Sequence, residues 1–129
     1  MDLDFKKIDG LLPAVIQDAV TGEVLMLGFM NAEAYAATQA SGEVTFFSRS
    51  RNKLWRKGEQ SGHVLRVREI LVDCDVDSLV IRVDAVGPGV CHEGYRSCFF
   101  RKISANGETS VVAERTFDPN AVYGKDSRR

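Results

Sequence analysis

The sequence lacks several features that would assign it to a class at once. No apolar run approaches the ~20 residues that span a bilayer, so we expect no membrane segment. The net charge is only −1 over 129 residues, which excludes a strongly basic chain that binds polyanions over its whole surface. Residues 1–7 are acidic and mixed, without a positively charged start and an apolar run, so we expect no secretion signal.

Cysteine is scarce, with three residues. Three thiols cannot all pair within one chain, and without a secretion signal they indicate reduced cysteines and a cytoplasmic location. Cys74, Cys91 and Cys98 are spaced more widely than the Cys-x₂₋₄-Cys pairs of structural zinc modules. Three thiolates with no fourth protein ligand are typical of an open, catalytic zinc. The alternative is that they are small buried apolar residues.

Histidine is scarcer still, with only His63 and His92. A zinc that carries three thiolates should acidify its water less than a three-histidine site, so it should need a neighbouring general base. Histidine is the residue type suited to that role near neutral pH. His92 could instead be a fourth zinc ligand, although its adjacency to Cys91 disfavours this. A hydrogen-bonded structural role is the alternative for each histidine.

Three carboxylates alternate along the segment Asp73, Asp75 and Asp77. If these residues continue a strand, the two-residue period places the carboxylates on one face and Cys74 on the other. Ligation by several oxygens suits Mg²⁺ or Ca²⁺. The alternative is an acidic turn exposed to solvent.

The segment 48–63 is polar, basic and punctuated by glycine. Serine hydroxyls, glycine N–H groups and arginine side chains all bind phosphate, so this loop predicts a phosphate site. A small nucleic-acid contact patch is the alternative. Its single tryptophan, Trp55, could stack on a base or fill the core. A β-rich protein without metal is a further possibility.

The pattern of apolar residues predicts an α+β fold with a mainly antiparallel β-sheet and one or two short helices. Residues 13–18 and 23–30 form a predicted hairpin, and the second strand is apolar enough to be buried on both faces. Asn31 and Gly42 predict the start and end of a helix over residues 32–40. The other predicted strands cover residues 43–48, 54–56, 64–77, 78–86, 98–103 and 110–117.

Three segments taken in order resemble the phosphoribosyl-AMP cyclohydrolases of histidine biosynthesis. They are SRSR…LWRKGE…SGH at 48–63, DCDVD at 73–77 and CHEG…RSCF at 91–99. The resemblance covers about residues 10–103 of a single domain, 1–129. The extension 104–129 carries no matching motif, and its end, 124–129, is expected to be mobile. No length remains for the pyrophosphohydrolase domain fused to many members, so we expect the monofunctional form.

This resemblance implies hydrolytic opening of the adenine ring of phosphoribosyl-AMP at the N1–C6 bond, giving the formimino-carboxamide ribonucleotide. It implies an intertwined homodimer whose Zn²⁺ takes Cys74 from one subunit and Cys91 and Cys98 from the other. It also implies Mg²⁺ at Asp73, Asp75 and Asp77, and neither a nucleic-acid nor a membrane partner.

The residues that match the family's motifs give a candidate site. His92 and His63 are the predicted catalytic residues. The predicted substrate-binding residues are Ser48, Arg49, Ser50, Arg51, Trp55, Lys57, Glu59 and Ser61. The two phosphates of the substrate are consistent with a basic, serine-rich loop.

Overall fold

A computed structural model describes residues 1–123. The strands are β1 (Leu12–Asp18), β2 (Val24–Met30), β3 (Thr45–Ser48), β4 (Lys53–Arg56), β5 (Leu65–Val72), β6 (Leu79–Ala85), β7 (Arg101–Ile103) and β8 (Thr109–Val111). The helices are α1 (Ala32–Ser41) and α2 (Pro119–Val122). Residues 124–129, for which the sequence predicted mobility, lie outside the described residues.

Four strands form the main sheet, in the order β2-β1-β6-β5. β1 pairs with β2 and β5 with β6 in antiparallel fashion, while β1 and β6 run parallel at the centre. β3 with β4 and β7 with β8 form two separate antiparallel ribbons. The predicted α+β class, the mainly antiparallel pairing and the two short helices are therefore confirmed.

The hairpin and the first helix form where local signals predicted them. Gly22 adopts a φ of 81° in the turn between β1 and β2, a conformation that suits glycine. The Asn31 side chain accepts a hydrogen bond of 2.8 Å from the Ala34 N–H and so caps α1. Gly42 ends that helix with a φ of 74°, as a left-handed C-terminal glycine does.

The core lies against one face of the main sheet. Alternate residues of β1 are buried, as expected for a strand with one face on the core. Phe46 from β3 fills the space over Gly28, where an added Cβ would lie 2.5 Å from the ring. The largest fully buried side chains are those of Leu12, Ile16, Leu25, Met30, Val44, Phe46, Leu65, Leu79, Ile81, Val83 and Val90.

Four expectations about strands were wrong. β2 is not buried on both faces, because Leu27 pairs with Val15 on the face of the sheet away from the core and is 44% exposed. The predicted strand 64–77 ends at Val72, after which Asp73 Oδ1 accepts backbone N–H groups from Asp77 and Ser78 and forms a turn. The predicted strand 98–103 is shortened to β7. The predicted strand 110–117 is replaced by β8 at 109–111, because the chain beyond bonds to the loop around Gly94 instead.

No helix within residues 1–123 is long and apolar enough to cross a membrane.

Candidate active site

Two of the three cysteines lie side by side in the loop between β6 and β7. The turn from Cys91 to Tyr95 is closed by a backbone hydrogen bond of 3.1 Å from the Cys91 N–H to the Tyr95 carbonyl. This turn brings the thiols of Cys91 and Cys98 within hydrogen-bonding distance of each other. The Glu93 N–H also donates to Cys91 Sγ at 3.4 Å. Two adjacent soft sulfur donors fit zinc.

The two thiols differ in acidity because each acts on the other. The hydrogen bond from Cys98 lowers the pKa of Cys91 to about 6, helped by the N–H groups of Glu93 and Tyr95 and opposed by burial. The same hydrogen bond, together with burial, raises the pKa of Cys98. The positive charge of Lys57 acts in the opposite direction on Cys98. Cys91 is therefore the thiol that ionises first.

Arg96, Ser97 and Cys98 attach the loop between β6 and β7, here called the cysteine loop, to the β1–β2 hairpin. The Arg96 guanidinium pairs with the carboxylates of Asp18 and Glu23. The Ser97 hydroxyl donates to the Val24 carbonyl at 2.7 Å, and the Cys98 N–H donates to the Leu25 carbonyl at 2.7 Å. The hairpin thus fixes the position of Cys98.

Cys74 is not brought to this pair within one chain. It is exposed and lies in the turn before β6, whereas Cys91 follows the other end of that strand. A strand of seven residues spans about 20 Å. Within residues 1–123, the three sulfur atoms do not form a group of ligands within 4.8 Å of one another. This single chain therefore does not bring all three cysteines to one site.

The three aspartates cluster because of a turn, and the strand alternation that the sequence suggested plays no part. One oxygen from each of Asp73, Asp75 and Asp77 lies within 4.8 Å of the others. Lys7 Nζ lies 2.9 Å from Asp75 Oδ2 and 3.0 Å from Asp77 Oδ2. The Ser78 hydroxyl donates to Asp73 at 2.6 Å and holds the pKa of that carboxyl below its usual range. The oxygen set fits Mg²⁺, which would compete with the Lys7 ammonium.

A pocket beside the cysteine pair collects most of the predicted substrate residues. Ser48, Arg51, Trp55, Lys57, Glu59 and Ser61 line it, together with His92. Arg49 and Ser50 line a neighbouring groove. The Arg49 guanidinium lies 4.1 Å from the centre of the Phe29 ring. The roles of these residues stay predictions.

The two histidines occupy different environments. His92 is on the wall of the pocket, and its ring centre lies 5.6 Å from that of Tyr123. His63 Nδ1 lies 3.1 Å from the Gly89 carbonyl oxygen, so this nitrogen is the donor of the bond. The Phe117 ring packs edge-on against His63 at 5.2 Å. Of the two, His92 lines this pocket and His63 is not among its lining residues.

Sequence reasoning missed Tyr123, which also lines the pocket. A helix-start signal precedes it, because the Asp118 carboxylate caps α2 by accepting from the Asn120 N–H at 3.0 Å and Pro119 follows directly. That signal predicts a short helix. It does not predict which surface the helix packs against.

Comparison with known proteins identifies a matching family. The family model described as phosphoribosyl-AMP cyclohydrolase matches residues 26–100. The chain is 59% identical to a phosphoribosyl-AMP cyclohydrolase of Solibacter usitatus, over 98% of this chain and 100% of the relative. A phosphoribosyl-AMP cyclohydrolase of Desulforapulum autotrophicum is 50% identical over 95% of this chain and 98% of its own length. One from Pelotomaculum thermopropionicum is 52% identical over 96% of this chain and 97% of its own length.

Proposed function

This chain belongs to the phosphoribosyl-AMP cyclohydrolase family, a family of hydrolases, and from that membership we propose the reaction that it catalyses. It opens the adenine ring of phosphoribosyl-AMP in histidine biosynthesis by hydrolysing the N1–C6 bond. The oxygen of water becomes the carboxamide oxygen at C6, and N1 leaves carrying a proton. The product is the formimino-carboxamide ribonucleotide. The observation that carries the proposal is the Cys91–Cys98 thiol pair beside a pocket that contains His92 and Trp55.

We propose Cys91 and Cys98 as zinc ligands in this reaction. Zinc bound there would supply the Lewis acidity that favours ionisation of a water molecule. The lowered pKa of Cys91 supports ligation near neutral pH, because thiolates and not thiols bind metal. Cys74 from a second chain is the proposed third ligand.

We propose that His92 moves the protons of the reaction. Its place on the pocket wall lets it accept a proton from water and return one to N1 as the ring opens. His63 is also a predicted catalytic residue, but its Nδ1 hydrogen bond to Gly89 and its contact with Phe117 favour a role in holding the loop.

The pocket residues are proposed to bind the nucleotide. Ser48, Arg51 and Ser61 offer hydrogen-bond donors for phosphate oxygens, and Trp55 offers a ring surface for the purine. The basic residues of this segment do not form one continuous patch, since Arg56 pairs with Glu43 at 2.7 Å and Lys57 is only 3% exposed. This arrangement favours a small-molecule substrate over a nucleic acid.

We propose that the protein acts as a homodimer. The separation of Cys74 from the other cysteines is one reason. Another reason is the β7–β8 ribbon. All residues of its two strands are exposed, and further exposed apolar side chains lie beside it. Apolar exposure on this scale is typical of a surface that a partner covers. The exposed apolar residues on β2, on this ribbon and beside it are Val24, Leu27, Phe99, Ile103, Val111 and Val112.

Turnover of phosphoribosyl-AMP tests the proposal, followed by the ultraviolet change as the purine ring opens. Activity should disappear with a zinc-selective chelator while Mg²⁺ stays in the buffer, and should return when zinc is added. The Cys91→Ser variant should lose both zinc and activity. Turnover that persists in protein shown to contain no zinc would refute the zinc-dependent mechanism. Absence of turnover from folded, metal-loaded protein would refute the function.

A further inference from the structure

The segment from Val112 to Tyr123, here called the C-terminal strap, lies across the cysteine loop. Thr116 makes two of the contacts: its N–H donates to the Gly94 carbonyl at 2.8 Å, and its hydroxyl donates to the Pro88 carbonyl at 2.9 Å. Arg115 Nε donates to the Glu93 carbonyl at 2.7 Å. The strap is therefore attached to the same turn that holds Cys91.

The contact at Gly94 leaves no space for a side chain. A Cβ added there would lie 2.6 Å from the Phe117 carbonyl oxygen and 2.9 Å from Pro119 Cδ, and Gly94 has a φ of 94°. Next to this contact, the Phe117 ring packs on His63 and Pro119 is buried. This close packing fixes where α2 begins and, four residues later, where Tyr123 lies.

Tyr123 reaches the pocket from the end of this strap. Its ring centre lies 5.6 Å from that of His92. Its phenol interacts with the Ser61 side chain, and half-burial raises the pKa of that phenol, so it is neutral at neutral pH. Both neighbours line the pocket together with Trp55. Tyr123 thus presents an uncharged aromatic surface to the space that the substrate would occupy.

We propose that the C-terminal strap is part of the substrate site and that Tyr123 contacts the purine ring of the bound nucleotide. This inference rests on the proposed function. It adds a second aromatic side chain to Trp55 as a surface for the base, and it gives a role to residues that carry no motif. An aromatic side chain in contact with a base is worth about 1–3 kcal/mol by alanine substitution, which is roughly a 5-fold to 150-fold change in affinity.

Binding of AMP measures this contact without catalysis. Trp55 is the only tryptophan of the chain and lines the pocket, so its fluorescence reports a bound nucleotide. We expect Tyr123→Ala to weaken AMP binding at least fivefold and to raise the KM for phosphoribosyl-AMP by a similar factor. Tyr123→Phe keeps the ring and should stay within about threefold of the wild type for both. Tyr35→Phe, on α1 outside the pocket, is the matched control and should change neither.

The outcomes separate this inference from the proposed function. Wild-type protein that binds AMP but does not turn over phosphoribosyl-AMP would refute the function, while Tyr123-dependent binding would still support the contact. Wild-type turnover with an unchanged AMP affinity and KM in a folded Tyr123→Ala variant would overturn the inference. An equal loss in Tyr123→Ala and Tyr123→Phe would also overturn it, because the aromatic ring would then not be the feature that matters. Wild-type protein whose fluorescence does not respond to AMP would overturn it as well.

Discussion

The ammonium group of Lys57 donates a hydrogen bond of 2.6 Å to the carbonyl oxygen of Val90, the residue before Cys91. Lys57 is 3% exposed, so this is a buried cation at the base of the cysteine loop. Its Nζ lies 5.7 Å from the Trp55 ring centre, and its charge acts on Cys98. One lysine thus connects the pocket with the thiol pair. The sequence suggested a substrate-binding role for this lysine, in a basic loop that could bind phosphate or nucleic acid.

Replacing Lys57 with methionine keeps the length of the side chain and removes its charge and its donors. The Val90 carbonyl would then lose a hydrogen bond inside the protein, which costs about 1–3 kcal/mol of the free energy of unfolding. Urea denaturation of metal-free protein measures this. Lys53→Met, at an exposed position of β4, is the control and should stay within about 0.5 kcal/mol. Equal stability of Lys57→Met and wild type would show that the buried contact is not important.

The elements predicted best are those specified by neighbouring residues. The cap at Asn31 and the left-handed Gly42 lie within a few residues of the helix that they bound, and both were recognised. The turn before β2 is similarly local. The metal-ligand candidates were also visible in sequence, because the three thiols and the three carboxylates all fall within residues 73–98. Their roles stay predictions.

What could not be predicted depends on contacts between residues far apart in sequence. The parallel pairing of β1 with β6 joins Ala14 to Leu79, and no local pattern specifies it. The approach of Tyr123 to His92 depends on the packing of the strap at Gly94. The clustering of the aspartates was expected on one face of a strand. It arises instead in a turn, because side chain-to-backbone bonds outcompete the strand there.

Asp18 should make stability depend on pH through its ion pair with Arg96. Burial alone would raise the pKa of Asp18, but N–H groups of Thr21 and Val20 and the charge of Arg96 outweigh it and lower that pKa. A lowered pKa in the folded state stabilises the protein above the unfolded-state value near 4, and this stabilisation is lost as the pH falls below it. Asp18→Asn should therefore cost about 1 kcal/mol at neutral pH, and less under acidic conditions.

Chemical denaturation over a pH series measures this difference. The gap between wild type and Asp18→Asn should narrow as the pH falls below about 4. Asp2→Asn, at an exposed position, is the control and should stay within about 0.5 kcal/mol of the wild type. A gap of constant size at all pH values would contradict a role for the ionised Asp18 carboxylate.

His92 and His63 should respond differently to substitution. Since His92 is on the pocket wall, His92→Ala should lower kcat by about 10²–10⁴-fold with zinc content unchanged. His63→Ala removes the bond to Gly89 and the contact with Phe117, so its main effect should be a lower free energy of unfolding. Steady-state kinetics, metal analysis and denaturation on the same preparations separate the two. Loss of zinc from His92→Ala would instead make that residue a ligand.

Lys7 should compete with Mg²⁺ for the carboxylates of Asp75 and Asp77. The Lys7 ammonium donates hydrogen bonds to both carboxylates, and these hold the pKa of Lys7 above its usual range, so it stays charged and repels a cation. Lys7→Met should therefore bind Mg²⁺ several-fold more tightly, because one nearby positive charge is removed. Calorimetric titration with Mg²⁺ alone measures this. Lys6→Met keeps both ion pairs and should match the wild type, and unchanged affinity in Lys7→Met would argue against a cation site here.

Mixing two inactive variants tests whether the zinc site is shared between subunits. If Cys74 comes from one chain and Cys91 and Cys98 come from the other, a dimer of one Cys74→Ser chain and one Cys91→Ser chain keeps one intact site. Random pairing should then restore about a quarter of wild-type activity and zinc, since half of the C₂ dimers are mixed and each has one of two sites. Cys91→Ser mixed with Cys98→Ser is the matched control. It should restore nothing, because both substitutions damage the same half of the site. Failure of the first mixture to recover, in dimers shown to have exchanged chains, would place all the ligands within one chain.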